Sequence, residues 1–196
     1  MKIALCTPSS GNCRAEYVES LINGAFNLPK EHEYMFFRYS SSVIPHNRNV
    51  IVNQSLEWGA DKIFFIDDDM RFPDSAMATL ITSSVKYPII AANCVKRQIP
   101  IEFMAQKNGK MWDSRRSSIQ FSEVDYVGNA FIIYDAEVFK EVPKPWWAFE
   151  YIPELDIYDT EDCFFQRKAK DLGYKVIVDN FLSKQISHMG IAEFRP

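Results

Sequence analysis

Three consecutive carboxylates, Asp67-Asp68-Asp69, follow the apolar run at residues 63–66. Alternation along an extended chain puts Asp67 and Asp69 on one side and Asp68 on the other. Adjacent carboxylates repel one another and cost stability unless a cation or an arginine neutralises them. A hard divalent ion, Mg2+ or Mn2+, is the simplest neutraliser, because Mg2+ takes one or two carboxylates and completes its shell with water and phosphate oxygens. A solvated acidic loop ahead of the helix that follows Pro73 is the other reading. A second acidic pair, Glu161-Asp162, follows Thr160 at the start of a helical segment. Such a pair serves either proton transfer or the helix itself, as first-turn acids behind an N-cap threonine. His188, ahead of Met189-Gly190, is a metal ligand if its imidazole is neutral and a carboxylate lies near; otherwise it is a lone, satisfied histidine. Arg48 either faces solvent or contacts a nucleotide base or phosphate.

Two further stretches bear on a substrate. Residues 96–116 carry Lys96, Arg97, Lys107, Lys110, Arg115 and Arg116 against Glu102 and Asp113, a basic island in a chain of net charge −4. That is either a solvated hairpin or a contact for a phosphate-bearing acceptor, nucleic acid included. Trp146-Trp147, with Phe149 and Tyr151, come shortly before Glu161-Asp162. Aromatic faces stack on sugar rings or bases, or else pin a loop to the core. Arg97, Trp146 and Trp147 are therefore candidate acceptor-pocket residues.

These groups need elements to hold them. Apolar runs at residues 2–7, 34–39, 62–66, 89–93 and 175–179 read as strands. Helical spacing covers residues 14–23, 48–58, 75–85, 135–142 and 160–172. In the middle, Asn108-Gly109 between apolar runs is a hairpin turn, and two strands at 124–127 and 131–134 break at Gly128-Asn129. Residues 143–153 read as irregular. Alternating strands and helices predict an α/β/α sandwich around a mostly parallel, mixed sheet. Its ligands should sit beyond the carboxyl ends of strands, where Thr7-Pro8-Ser9, Asp67–Asp69 and Asn93 fall. The 196 residues, 47% hydrophobic, suffice for one domain that buries roughly 70% of its unfolded surface. The apolar runs are too short to cross a bilayer. The four cysteines have no CxxC or metal-finger spacing, which predicts reduced thiols and a cytoplasmic protein.

The order of the pieces carries more than each piece alone. Pro8-Ser9, Arg48-Asn49, the stretch Phe64-Phe65-Ile66-Asp67-Asp68-Asp69-Met70, Gly128-Asn129-Ala130-Phe131, Thr160-Glu161-Asp162 and His188-Met189-Gly190 occur in sequence. This resembles GT-A-fold glycosyltransferases, family-2-like enzymes and the Anp1/Mnn9-like branch in particular, over nearly the whole chain. The resemblance implies a GT-A-type (Rossmann-like) sandwich, with residues 1–95 as the nucleotide-binding half and 96–196 as the acceptor and catalytic half. It implies that Asp67 and Asp69 form a DxD motif, and that with His188 they hold Mn2+ or Mg2+. A UDP- or GDP-sugar would lie against Thr7, Pro8, Ser9, Arg48, Asp67, Asp68, Gly128 and Asn129. Asp162 would act as base with Glu161 beside it. Here His46-Asn47 replaces the small residues usual before the arginine.

The expected reaction moves a sugar from a nucleotide diphosphate to an acceptor hydroxyl. A metal stabilises the departing diphosphate and a carboxylate accepts the hydroxyl proton. The acceptor is a glycan, or a hydroxymethylated DNA base met through residues 96–116. Its pocket is expected from the hairpin, the aromatic loop and the short tail after His188. Two other enzymes share the requirements: a nucleotidyltransferase, which the single glycine after the first strand disfavours, and a metal-dependent phosphohydrolase. A non-catalytic sugar-nucleotide or glycan-binding protein is the reading from another class.

Overall fold

The structure is a computed structural model and describes residues 1–154, 156–190 and 193–195. In chain order its strands and helices are β1 (Lys2–Ser9), α1 (Ala15–Phe26), β2 (Glu33–Ser40), α2 (Ile44–Trp58), β3 (Lys62–Ile66), β4 (Met70–Arg71) and α3 (Ala76–Ser84). There follow β5 (Ile89–Ala91), β6 (Gln106–Lys107), β7 (Lys110–Met111), β8 (Phe121–Val124), β9 (Phe131–Asp135), α4 (Ala136–Glu141), β10 (Glu150–Ile152) and β11 (Ile157–Asp159). The chain continues through α5 (Glu161–Asp171), β12 (Val176–Asp179), α6 (Asn180–Ser183), β13 (Ser187–Met189) and β14 (Glu193–Phe194).

Seven strands form the central sheet in the order β2-β1-β3-β9-β5-β12-β8. β9 runs against β3 and β5, and β8 runs against β12; the other three pairings are parallel. Five of the seven strands therefore point one way, which gives the mostly parallel mixed sheet expected. β3 shows why its sequence is a continuous apolar run. Ile63 and Phe65 enter the core under α2, α4 and α5, while Phe64 and Ile66 enter the core under α1 and α3. A strand buried on both faces has no polar side to alternate with. The result is a single three-layer α/β/α domain. Where β1 and β3 lie side by side, the strand order runs outward in both directions, and their carboxyl ends open a crevice of the kind that binds ligands.

The middle of the chain holds the Asn108-Gly109 turn between β6 and β7, with φ of +52° and +70°. Two successive left-handed residues are what a tight hairpin turn requires, and Asn-Gly adopts them at least cost. The strand expected at 124–127 lies at 121–124 as β8, at the sheet edge against β12 and away from β9. Three other features depart from the sequence expectation. α2 begins at Ile44, with Pro45 in its first turn where its missing N–H costs nothing. Residues 150–152, expected to be irregular, pair with 157–159 as a small hairpin, Tyr151 opposite Tyr158. β4, β13 and β14 form a three-stranded patch that sets Met70 against His188. The four cysteines are free thiols.

Candidate active site

The patch of short strands decides where the acidic triplet meets His188. The Met189 N–H donates to the Asp69 carbonyl at 2.7 Å, and the pairing of Met70 with His188 brings the imidazole beside the Asp69 side chain. His188 Nε2 lies 3.1 Å from Asp69 Oδ1. Its Nδ1 lies 2.9 Å from the Val95 carbonyl. A carbonyl can only accept, so Nδ1 carries a proton and Nε2 is the nitrogen turned to Asp69. Burial pulls the His188 pKa down, but the Asp69 carboxylate and the Val95 carbonyl outweigh it, and the net direction is up. The other Asp69 oxygen accepts from Arg97 Nη1 at 2.7 Å. Arg97 itself is half exposed at the mouth of the site.

This arrangement can be tested against a divalent ion. Nδ1 anchored on a backbone carbonyl and Nε2 converging with a carboxylate oxygen is the donor pair such an ion uses. Asp69 and His188 fit. Asp67 does not join them, because its carboxylate is held by Arg48. Among the described residues no group of three His, Cys, Asp or Glu side chains is arranged to hold a metal. An ion here would have two protein ligands and take the rest of its shell from substrate and water, a common arrangement for Mg2+.

Behind the triplet lies a buried cluster around Arg48, which is 2% exposed. α2 carries the guanidinium over the Phe65 ring, 5.3 Å from its centroid. Arg48 Nη2 donates to Asp67 Oδ1 at 3.2 Å, and Nε lies 3.8 Å from Glu161 Oε1. Nε and Nη1 have no hydrogen-bond partner. Asp162 enters from the first turn of α5, whose N-cap Thr160 accepts from the Cys163 N–H. The Asn129 N–H donates to Asp162 Oδ2 at 3.2 Å, while Oδ1 is buried without a partner. Burial is the main reason that the Asp162 pKa is pushed up to about 7; Glu161 and Asp67 push the same way, and Arg48 opposes. Burial also raises Asp67, against Arg48. Unpartnered buried polar atoms are costly and rare. Here Arg48, Asn129 Nδ2 and Asp162 Oδ1 supply them together, as in a site shaped for polar groups of a substrate.

Around these two clusters the remaining predicted residues sort clearly. Ser9 is buried; its hydroxyl accepts from Arg38 Nη2 and from the Gly11 N–H, both at 3.0 Å, and its carbonyl accepts from Asn47 Nδ2. Burial raises the Asp68 pKa and a hydrogen bond to Ser9 opposes it, so Asp68 belongs with the first-strand loop. Thr7 is tied to Tyr17 on α1, and Pro8 stands opposite Tyr39 in the sheet. A Cβ on Gly128 would come within 2.4 Å of the Met104 methyl, so the close neighbour of this glycine is a thioether.

The tryptophans require a correction. Trp146 and Trp147 are 3% and 2% exposed. The Trp147 ring packs on Phe65, Tyr134, Phe139 and Phe165, and Trp146 donates its indole N–H to the Phe139 and Val142 carbonyls. Their faces are spent on the core, and neither lines an acceptor pocket. Part of the basic island is paired: Lys96 with Glu102, Arg115 and Arg116 with the single Asp113, and Arg97 with Asp69 outside the segment, which stays net positive.

Sequence reasoning passed over three parts of the site. Arg38 orders the Ser9 loop. Gln166 clamps the Val127 peptide from both sides and reaches Asn129 Oδ1. The Val95 carbonyl fixes His188. Only Gln166 carried a signal, as a polar residue on the buried face of a helix.

No protein-family model matches the chain, and no curated protein does. Solved structures do. The crystal structure of A197 from STIV is 16% identical with a TM-score of 0.65; the match covers 97% of this chain and 86% of that one. The crystal structure of S. aureus TarS 1-349 in complex with UDP-GlcNAc is 15% identical with a TM-score of 0.52; the match covers 91% of this chain and 56% of that one. At these identities the likeness is one of fold, and the fold is glycosyltransferase-like, of GT-A type.

Proposed function

We propose that the chain is a glycosyltransferase that takes a sugar from a nucleotide diphosphate and passes it to an acceptor hydroxyl. The observation that carries this reading is Asp162. Its carboxyl is buried, one oxygen has no partner, and its pKa lies near neutrality. A general base works best when its pKa is close to the operating pH, and strong perturbation by burial beside a charge partner marks functional carboxyls. The fold agrees, and TarS, of the same fold, is known in complex with UDP-GlcNAc.

In this reading the nucleotide lies over the carboxyl ends of β1 and β3, between the Ser9 loop and the acidic triplet. Arg48 holds Asp67 in place, and its Nη1, which has no partner in the protein, is available to the substrate. Asp69 and His188 would hold Mn2+ or Mg2+, which would act as a Lewis acid toward the diphosphate. Arg97, at the mouth, adds a positive charge where phosphate enters. Asp162 takes the proton of the acceptor hydroxyl, and Asn129 holds the carboxyl by its Oδ2 so that Oδ1 faces the reaction.

Calorimetric titration with UDP, GDP, CDP and ADP, each with and without Mn2+, tests the proposal. One nucleotide should bind in a metal-dependent way. Asp69→Asn should weaken that binding about tenfold or more, the loss of one charged ligand being worth at least 1.4 kcal/mol. If no diphosphate binds under either condition, the reading is wrong.

A further inference from the structure

β2 ends the seven-stranded sheet, and no strand among the described residues pairs with its outer side. Glu33 and Ser41 give their N–H groups to the Met1 and Ser9 carbonyls, toward β1. Alternation therefore turns the N–H and C=O of Tyr34, Phe36 and Arg38 outward. Open edges of this length are ordinarily blunted by lysine, proline or a bulge. β2 has neither residue, and its register with β1 runs unbroken. Phe36, 46% exposed, stands on the same face as Tyr34, the face whose core α1 shares. α1 adds an apolar stripe: Val18, Ile22 and Phe26, each four residues from the next, are 41%, 52% and 75% exposed. Glu19 and Asn23 line the flank of α1 beside Arg71 and Phe72, so the stripe lies on the other flank, toward β2. We infer that this end of the molecule is an interface between two copies of the chain, in which β2 pairs antiparallel with β2 about a two-fold axis through Phe36.

The edge is complementary to itself. A two-fold axis normal to the sheet sets residues of the same face opposite one another. With Phe36 on the axis, Phe36 faces Phe36 and Tyr34 faces Arg38 on either side, all of them residues whose backbone groups point outward. Such directly opposed residues exchange both of their hydrogen bonds. On the other face Met35 meets Phe37 and Glu33 meets Tyr39, so no like charges oppose. The same rotation puts both α1 helices on one side of the joined sheet. With strands about 4.8 Å apart, the two helices would stand on the order of 10–15 Å apart, near enough for their stripes to meet over the Phe36 rings. At ordinary side-chain areas, Val18, Ile22, Phe26, Met35 and Phe36 leave on the order of 500 Å² in the open per copy. Two copies together with the strand backbone reach the roughly 1,200 Å² at which stable interfaces begin. Other occupants fit less well. A bilayer would cover the stripe but leave the strand edge without hydrogen-bond partners. β8, at the opposite end of the sheet, offers four residues against the eight of β2, and head-to-tail pairing of unlike edges builds open chains rather than a closed dimer.

Sedimentation velocity on the full chain over a range of concentrations tests this, with amide hydrogen exchange read by NMR at the two ends of the range. The expected result is a reversible dimer of twice 22.7 kDa. In the dimer the Phe36 and Arg38 amides should be protected, and on dilution they should exchange freely. The Met35 and Phe37 amides, turned toward β1, should stay protected throughout. Phe36→Pro removes an N–H that only the second copy would use, and Ile22→Lys charges the stripe at an exposed position. Each should weaken dimerisation about tenfold or more, with near-ultraviolet circular dichroism of the monomer unchanged. Ile22→Lys decides the matter if the proline variant fails to fold. A monomer at every concentration up to about 100 μM, well above a micromolar Kd, overturns the inference. So does a dimer that Ile22→Lys leaves intact, or one in which the Phe36 amide exchanges as fast as in the monomer. Flotation of a monomeric chain with phosphatidylcholine–phosphatidylglycerol vesicles overturns it in favour of a membrane surface.

Discussion

Replacing Asp162 by asparagine should make the protein more stable, and increasingly so as the pH rises. Asp162 is partly buried with its Oδ1 out of solvent, and its pKa moves from the ordinary 3.8 to about 7 in the folded chain. For a buried acid the sign is the reverse of the usual salt-bridged carboxylate. Between these two values the folded chain keeps a proton that the unfolded chain has released, so stability falls as pH rises through that window. Below pH 4 both states are protonated and the cost vanishes. Above pH 7 the cost levels off at about 4 kcal/mol, from about three pH units at 1.36 kcal/mol each. Asparagine keeps an acceptor for the Asn129 N–H and carries no charge. Its amide N–H2 must find a partner near Arg48, which removes part of the gain, so about 2 kcal/mol is expected at pH 8. For a domain of this size that is a rise in Tm of roughly 4–8 °C. Thermal and urea melts of both proteins from pH 4 to pH 9 would show the curves together at pH 4 and apart at pH 8. A gap that stays constant with pH would refute the argument, because it would come from packing rather than from the buried charge. Transfer activity should move the other way. It should be lost in Asp162→Asn, and in the parent it should rise with a midpoint near pH 7, where the base ionises in the folded chain.

Two further substitutions separate charge compensation from packing. Arg48→Met leaves Asp67, Glu161 and Asp162 without their shared cation, and should destabilise the protein by about 3–5 kcal/mol at pH 8. The loss should shrink at pH 5, where Asp162 is protonated; an equal loss at both pH values in urea titrations would show that the guanidinium acts by its bulk. Trp147→Ala should cost roughly 3–5 kcal/mol of stability through the cavity it opens, with the nucleotide affinity of the folded protein unchanged by calorimetry. Ordinary stability with impaired transfer would mean that the ring faces a substrate after all.

What could be read from the sequence follows how local its physical cause was. β3 announced itself because burial on both faces leaves four successive residues, Ile63 to Ile66, with no polar alternation. The Asn108-Gly109 turn was legible because two left-handed residues in succession are a property of those side chains. The sharing of Arg48 among Asp67, Glu161 and Asp162 was not legible, since α2, β3 and α5 meet only in three dimensions. Strands of two or three residues, such as β4 and β13, show no period, and the contact that fixes the His188 tautomer is a backbone carbonyl with no side-chain signature. The β10–β11 hairpin is held to α5 by one arginine, a contact that no pattern within residues 150–159 contains. Trp146 and Trp147 misled for a physical reason: large aromatics beside an acidic motif suit a pocket and a core equally, and only the positions of Phe65, Tyr134, Phe139 and Phe165 decide between them.

The placement of β9 has a bearing on how the chain is made. β3 finds its second neighbour only in residues 131–135, and β5 reaches β3 only through that same strand. During synthesis at about 5–20 residues per second, the roughly 65 residues between Ile66 and Phe131 take several seconds to emerge. Over that interval β3, with Phe64 and Phe65, presents an open edge beside β1, the kind of surface on which nascent chains associate. Residues 1–95 taken alone therefore leave one edge of β3 unpaired. β1, β3 and β5 share one sheet only once β9 has been threaded between β3 and β5, and a chain truncated before residue 135 is expected to bind chaperones, which a pull-down of the truncated chain would show.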